Sequence, residues 1–234
     1  MKFKDRTAIV TGAAGNLGRA VAETFEAEGA HVIVVGATAA SLDRAFPDDR
    51  PTLSKLAVDL RDREAVMRAV QPFADRPGGI DILCACAGGF DMGEPVHETP
   101  PEKWQLMMDL NTQTLLNIVR AVTPGMVARG SGKIVTVGAN AAVHGVAQMG
   151  AYTASKSVVL RLTEAMAAEL RGKGINVNCV MPSIIDTPAN RTAMPKADPA
   201  KWVAPRDIAS VISFLCSNDA TAIHGALVPV VGLS

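Results

Sequence analysis

At 234 residues the chain is long enough to bury a large core in one domain and short for two. Hydrophobic residues make up 48% and charged ones 20%, and 23 basic side chains cancel 23 acidic ones, which argues against a disordered acidic chain and against a basic nucleic-acid binder. A small molecule is the expected partner. The apolar run after MKFKDR is too short for a signal peptide, and none approaches the roughly 20 residues of a membrane span, so no membrane contact and a cytoplasmic location are expected.

From the N-terminus onward, short apolar runs ending in small residues alternate with longer amphipathic stretches. The pattern predicts strands near 7–11, 31–36, 53–58, 80–86, 132–138, 175–181 and 226–231. Helices are expected near 16–28, 39–46, 62–75, 101–129, 152–172 and 206–217. Such alternation means a parallel sheet, and strands this apolar are covered on both faces. One domain spans 1–234, with no repeat or linker. The segment 182–205 alone is long and weakly periodic, and is read as a substrate-side loop that closes like a lid. The four cysteines, at 84, 86, 179 and 216, form no CxxC pair and lie in apolar runs, so reduced core thiols are expected and no metal site.

The first predicted strand runs through Thr11-Gly12-Ala13-Ala14-Gly15-Asn16-Leu17-Gly18 into a helix. Glycines there permit a tight turn and close approach to a pyrophosphate, while the helix N-terminus offers free N–H groups to phosphates. Gly12, Asn16, Leu17 and Gly18 are therefore candidate dinucleotide contacts. At the end of the second strand a carboxylate would accept hydrogen bonds from the ribose of NAD; the chain has Gly36-Ala37-Thr38 instead. NADP is accordingly placed ahead of NAD, with Thr38, Ser41 and Arg44 as candidates for its 2′-phosphate. Asp59, closing the third strand, is read either as an adenine contact or as the N-cap of the next helix.

Tyr152 and Lys156 stand four apart at the start of a long predicted helix, on one face and one turn from each other. A nearby ammonium lowers a phenol's pKa, which would fit Tyr152 for proton transfer while a nicotinamide moves a hydride. Such a pair alone is common on helix surfaces; its company makes it specific.

TGAAGNLG, VDL at 58–60, CAG at 86–88, Asn111, YTASK at 152–156 and MPSIIDTP at 181–188 resemble, in order and spacing, the motifs of the short-chain dehydrogenase/reductase family. The resemblance covers essentially the whole chain. It implies a single Rossmann-type, doubly wound α/β domain with a seven-stranded, mainly parallel sheet in an α/β/α sandwich, and NAD(P)-dependent carbonyl or alcohol chemistry. Carried over, Tyr152 is the acid/base, Lys156 binds the nicotinamide ribose and tunes the tyrosine, and Asn111 holds a water of a proton relay. Asp59 and Leu60 line the adenine, Ala87 and Gly88 the ribose side, and Pro182, Ile185 and Thr187 the carboxamide side. The family commonly forms dimers or tetramers through the helices matching 101–129 and 152–172, and a homotetramer is expected.

The chain also departs from the family. The catalytic serine falls thirteen residues before the tyrosine, where this sequence has Ala139, and Asn140 is the nearest polar side chain. Loss of one oxyanion-type donor typically costs roughly 2.7–4 kcal/mol in the transition state. The stretch GANAAVHG resembles the serine-lacking strand end of dihydropteridine reductase-like members, so a pteridine-like or imine substrate is the alternative to a carbonyl or alcohol. A catalytically weak nucleotide-binding regulatory protein is the other. The glycines are spaced GxxGxxG, Cys86 stands where Asn is usual, and Ser183 follows Pro182 in place of Gly. His144, Gln148 and Met149, with Ala139 and Asn140, are candidate substrate contacts, as are Phe90 and Asp91; Arg191 and Lys196 are candidates to meet an anionic substrate.

Overall fold

Apolar runs become seven strands in the computed structural model, which describes residues 1–234: β1 (Thr7–Thr11), β2 (His31–Gly36), β3 (Leu53–Ala57), β4 (Ile82–Ala85), β5 (Gly132–Val137), β6 (Ile175–Pro182) and β7 (Leu227–Val230). The helices are α1 (Asn16–Ala27), α2 (Ala39–Ala45), α3 (Arg63–Ala74), α4 (Pro101–Met108), α5 (Thr114–Arg129), α6 (Gly150–Leu170), α7 (Pro188–Ala193) and α8 (Pro205–Cys216). Every strand pairing is parallel, in the order β3-β2-β1-β4-β5-β6-β7.

The two-residue period of the strands sorts their side chains into two cores. Ala8, Val10, Val34 and Cys84 pack beneath α1, α2 and α8, against Phe25, Leu42 and Ile208. Ile9, Ile33, Leu83 and Ile134 pack on the other face beneath α3, α5 and α6, against Val66, Ile118 and Val159. This is the seven-stranded, doubly wound Rossmann-type sandwich, and its sheet is wholly parallel. Strand order reverses between β1 and β4, so their connections leave to opposite sides and open a crevice beyond the strands' carboxyl ends.

Two elements differ from the sequence pattern. The expected helix over 101–129 is broken by a π-helical turn at Asp109–Gln113, where the buried Asn111 side chain bonds outside its own helix. The segment 182–205, weakly periodic in sequence, carries local structure. It contains α7, capped by Thr187, and a parallel bridge between Ile185 and Val203, with Asp186 N donating to Val203 O at 2.9 Å. All four cysteines are free, with Cys84, Cys179 and Cys216 buried and Cys86 half-buried. No helix is long and apolar enough to cross a membrane.

Gly174, between α6 and β6, has φ 73° and lies against the carbonyl of Gly130, itself at φ 65° at the end of α5. A side chain there meets both a left-handed backbone and another residue's carbonyl. Gly174→Ala is expected to lower stability by more than ~1 kcal/mol, read as a reduced urea midpoint at unchanged slope.

Candidate active site

The crevice starts at the β1–α1 turn. Gly12 has φ 63°, and a Cβ there would lie 2.9 Å from Ala87 Cα; at Gly18 a Cβ would lie 2.7 Å from the Gly12 carbonyl carbon. Both positions admit only glycine. Ala87 N donates to Thr11 Oγ1 at 3.0 Å, which holds the ends of β1 and β4 together. The N-cap of α1 is Gly15, which has no side chain to bond the first-turn amides of Asn16, Leu17 and Gly18. Uncapped amides at a positive dipole end, reached over a bare glycine turn, suit a pyrophosphate.

Beyond β2, Gly36, Ala37 and Thr38 offer no carboxylate. Thr38 Oγ1 caps α2 by accepting from Ser41 N at 3.2 Å, which leaves its O–H free to donate, while Ser41 Oγ donates to the Thr38 carbonyl at 2.7 Å. Arg19, Ser41 and Arg44 line a groove of about 230 Å³ beside Gly15 and Asn16. Arg19 escaped the sequence reading, although it directly follows the last glycine of the turn.

Asp59 is not the helix cap. Asp62 caps α3, its Oδ1 accepting from Ala65 N at 3.0 Å. Asp59 is exposed and takes two charge-assisted bonds from Arg61, at 2.7 and 3.0 Å, which hold its carboxyl below the usual range. Leu60 is buried, and its carbonyl accepts from Asn117 Nδ2 of α5 at 2.9 Å.

On α6, Tyr152 and Lys156 stand one turn apart as expected, but their electrostatics differ from the expectation. Lys156 is only 6% exposed, and its Nζ donates to the Val137 carbonyl at 2.9 Å. With no carboxylate beside it, burial lowers its pKa to about 8. The Tyr152 hydroxyl is pushed up to about 12 by burial, and Phe90 meets its ring edge-on at 4.8 Å. The ammonium is turned to the end of β5, and desolvation governs the phenol.

Asn111, 2% exposed, lies at the π turn. Its Oδ1 accepts from Gly89 N at 2.9 Å, and its Nδ2 donates to Gly89 O at 3.1 Å and to Ser155 Oγ at 3.0 Å. Ser155 Oγ donates to the Tyr152 carbonyl at 2.8 Å. A Cβ at Gly88 would lie 2.6 Å from Asn111 Oδ1 and 3.0 Å from Lys156 Nζ, so bare backbone is required where these groups converge.

Ala139 is buried with Ala142, Leu160, Cys179 and Met181, and Tyr152 packs on this cluster. Asn140 beside it is half-buried, as is Met149, while His144 and Gln148 are exposed. Gln148 has φ 63°, and its carbonyl accepts from Gly93 N at 2.9 Å, joining the loop after β4 to the loop before α6. Asp91 faces Lys103 at 3.3 Å. Pro182 is buried at the end of β6; Ile185 gives its carbonyl to Asn190 Nδ2 at 2.8 Å, and Thr187 Oγ1 caps α7 by accepting from Asn190 N at 3.2 Å, keeping its O–H free to donate. Arg191 is not free for an anion: Asp186 takes two bonds from it, at 2.6 and 2.8 Å. Lys196 is exposed on the same segment.

These residues fit a nicotinamide dinucleotide. The glycine cradle and free amides suit its phosphates, and the buried ammonium of Lys156, with one hydrogen bond of its three donors satisfied within the chain, suits a ribose diol.

The family model for short chain dehydrogenase matches residues 6–198. Dehydrogenase/reductase SDR family member 4 of Bos taurus is 30% identical, covering 97% of this chain and 86% of the relative. An NAD-dependent glycerol dehydrogenase of Listeria innocua is 31% identical, covering 94% and 90%. Among solved structures, a short-chain type dehydrogenase/reductase from Mycobacterium ulcerans superposes with a TM-score of 0.92 at 26% identity, covering 100% of this chain and 90% of that one. A chain from Beutenbergia cavernae, described as an NAD(P) dependent gluconate 5-dehydrogenase with NADP at low occupancy, gives 0.89 at 29% identity, covering 99% and 98%.

Lys156 yields a pH prediction. Its folded pKa of about 8 lies below the ordinary 10.5, so the unfolded chain holds this proton to higher pH and stability rises as pH climbs from about 8 to 10.5. Tyr152, displaced upward from 10, opposes this only above about pH 10. Lys156→Met removes the buried charge. Without nucleotide it is expected to be more stable than wild type at pH 8, with the gap narrowing by pH 10 in urea titrations; a constant gap would mean Lys156 titrates normally.

Proposed function

The chain belongs to the short chain dehydrogenase family, and from that premise we propose that it is an NADP-preferring oxidoreductase acting on a small carbonyl or alcohol substrate, with Tyr152 as its acid/base. The observation that carries this reading is the convergence of Lys156 Nζ and Asn111 Oδ1 on the bare backbone of Gly88, one helical turn from Tyr152.

When bound, the nicotinamide supplies or accepts the hydride. Tyr152, protonated at neutral pH and pushed further from ionising by burial, gives its proton to a substrate oxygen that gains negative charge, and takes it back in the oxidative direction. Lys156 remains mostly protonated at pH 7, holds the ribose and steadies the phenolate that forms. Asn111 has one acceptor lone pair left after its internal bonds, enough to hold a relay water. Gly12, Asn16, Leu17 and Gly18 take the pyrophosphate; Asp59 and Leu60 flank the adenine; Ala87, Gly88, Pro182, Ile185 and Thr187 flank the nicotinamide half.

Ala139 supplies no hydroxyl, and Asn140 is assigned to orient the substrate oxygen in its place. A pteridine-like or imine substrate rests on Ala139 alone. Relatives named for glycerol and sorbitol support the carbonyl/alcohol class instead. NADP over NAD is supported by the absent carboxylate after β2 and by the groove holding Arg19, Ser41 and Arg44. A dimer or tetramer is supported by exposed Leu116 and Val127 on α5 and Phe214 on α8.

Tyr152→Phe is expected to lower kcat by about 10²-fold or more while the Kd for NADPH, read by fluorescence titration, stays within about twofold. Retained turnover would overturn the assignment of Tyr152. Arg44→Ala is expected to weaken NADPH binding by about tenfold and leave NADH binding unchanged; equal effects on both cofactors would remove the 2′-phosphate from this groove.

A further inference from the structure

The opposite end of the sheet, where the strands begin, holds a second polar cavity of about 210 Å³. Three cations line it, Lys2, Arg6 and Lys133, together with Ser131, Asn176 and Ser217; no carboxylate does. Two of the cations are neutralised from outside the cavity, Lys2 by Glu28 at 2.9 Å and Arg6 by Asp81 at 3.1 Å. Lys133 is not. Half-buried at the start of β5, its Nζ meets only the neutral Asn176 amide oxygen, at 2.8 Å. Asn176 is held by its own Nδ2, which donates to the carbonyls of Thr221 and Ile223 at 2.8 and 2.9 Å.

A half-buried ammonium next to a guanidinium, with no counter-ion, is an unfavourable arrangement in isolation. Burial and the positive Arg6 both make Lys133 give up its proton more readily. An oxyanion in the cavity reverses both effects, and the Ser131 hydroxyl supplies a neutral donor beside it. We propose that this cavity is a binding site for a phosphoryl group, inorganic phosphate or a small phosphomonoester, with Lys133 as its central cation. The site is separate from the nucleotide end. Lys133 and Val137, whose carbonyl receives Lys156, are four steps apart along β5, about 13 Å at ~3.3 Å per residue.

The test is calorimetric titration of the full chain with inorganic phosphate and, separately, glycerol phosphate, at constant ionic strength, with and without saturating NADP⁺. Saturable binding unaffected by NADP⁺ is expected, and the better of the two probes identifies the source of the phosphoryl group. Lys133→Met and Lys133→Gln are expected to weaken it by about tenfold or more, while Lys133→Arg retains it and turnover is unchanged in all three. Near-ultraviolet circular dichroism checks the fold of each variant, and the Gln form keeps a hydrogen-bonding partner for Asn176. Binding that NADP⁺ displaces, wild-type affinity in both uncharged variants, or no saturable heat with either probe overturns the proposal; in the last case Lys133 serves only to offset the carboxyl-terminal dipole of α8.

Discussion

The hydrogen bonds of the Asn111 side chain are the constraint on which the active-site end depends. One amide spans three separate stretches of chain: the loop after β4 through Gly89, the break between α4 and α5, and α6 through Ser155. An amide 2% exposed must find partners or cost about 1–3 kcal/mol. Satisfying it requires the helix to open into a π turn at Asp109–Gln113, so that Asn111 reaches Gly89. The result sets where α6 lies, and therefore where Tyr152 and Lys156 stand relative to the crevice between β1 and β4.

The strands and most helices were legible because their two- and 3.6-residue periods are strong and the chain buries both sheet faces. The π turn was not, because MMDLNTQTLLN keeps helical spacing throughout and the partners that break it lie 22 and 44 residues away in sequence. Asp59 and Asp62 both precede α3, and sequence alone does not say which one caps it. Arg191 reads as a spare cation until Asp186, five residues earlier, is seen to hold it. The Tyr152–Lys156 pair shows the same limit. Spacing places both on one face, but the burial that pushes the phenol to about 12 and the ammonium to about 8 comes from packing, as of Phe90 and Ala139 around Tyr152, that no local pattern brings together.

Burial without a counter-charge is a recurring device in this chain. Lys156 at the carboxyl end of β5 and Lys133 at its amino end are each held by one neutral acceptor and no carboxylate. A formal net charge of zero conceals this, because the acids lie elsewhere, some in exposed pairs such as Asp59–Arg61 and Asp186–Arg191. A cation whose partner is a carbonyl or an amide keeps its field directed at an incoming anion or an electron-rich oxygen; one paired with a carboxylate does not.

Ala139 sharpens that argument at the catalytic end. The wall beneath Tyr152 is apolar, made of Ala139, Ala142, Leu160, Cys179 and Met181, and in the proposed reaction it offers no hydroxyl to share the charge on a substrate oxygen. An apolar wall leaves the phenol poorly solvated and protonated, while the Lys156 ammonium, one turn along α6, is the nearest fixed positive charge on that helix able to stabilise the phenolate that forms. In the proposed reaction, proton transfer and charge stabilisation therefore both fall to the Tyr152–Lys156 turn, whose geometry rests on Ser155 between them, tied back to Asn111.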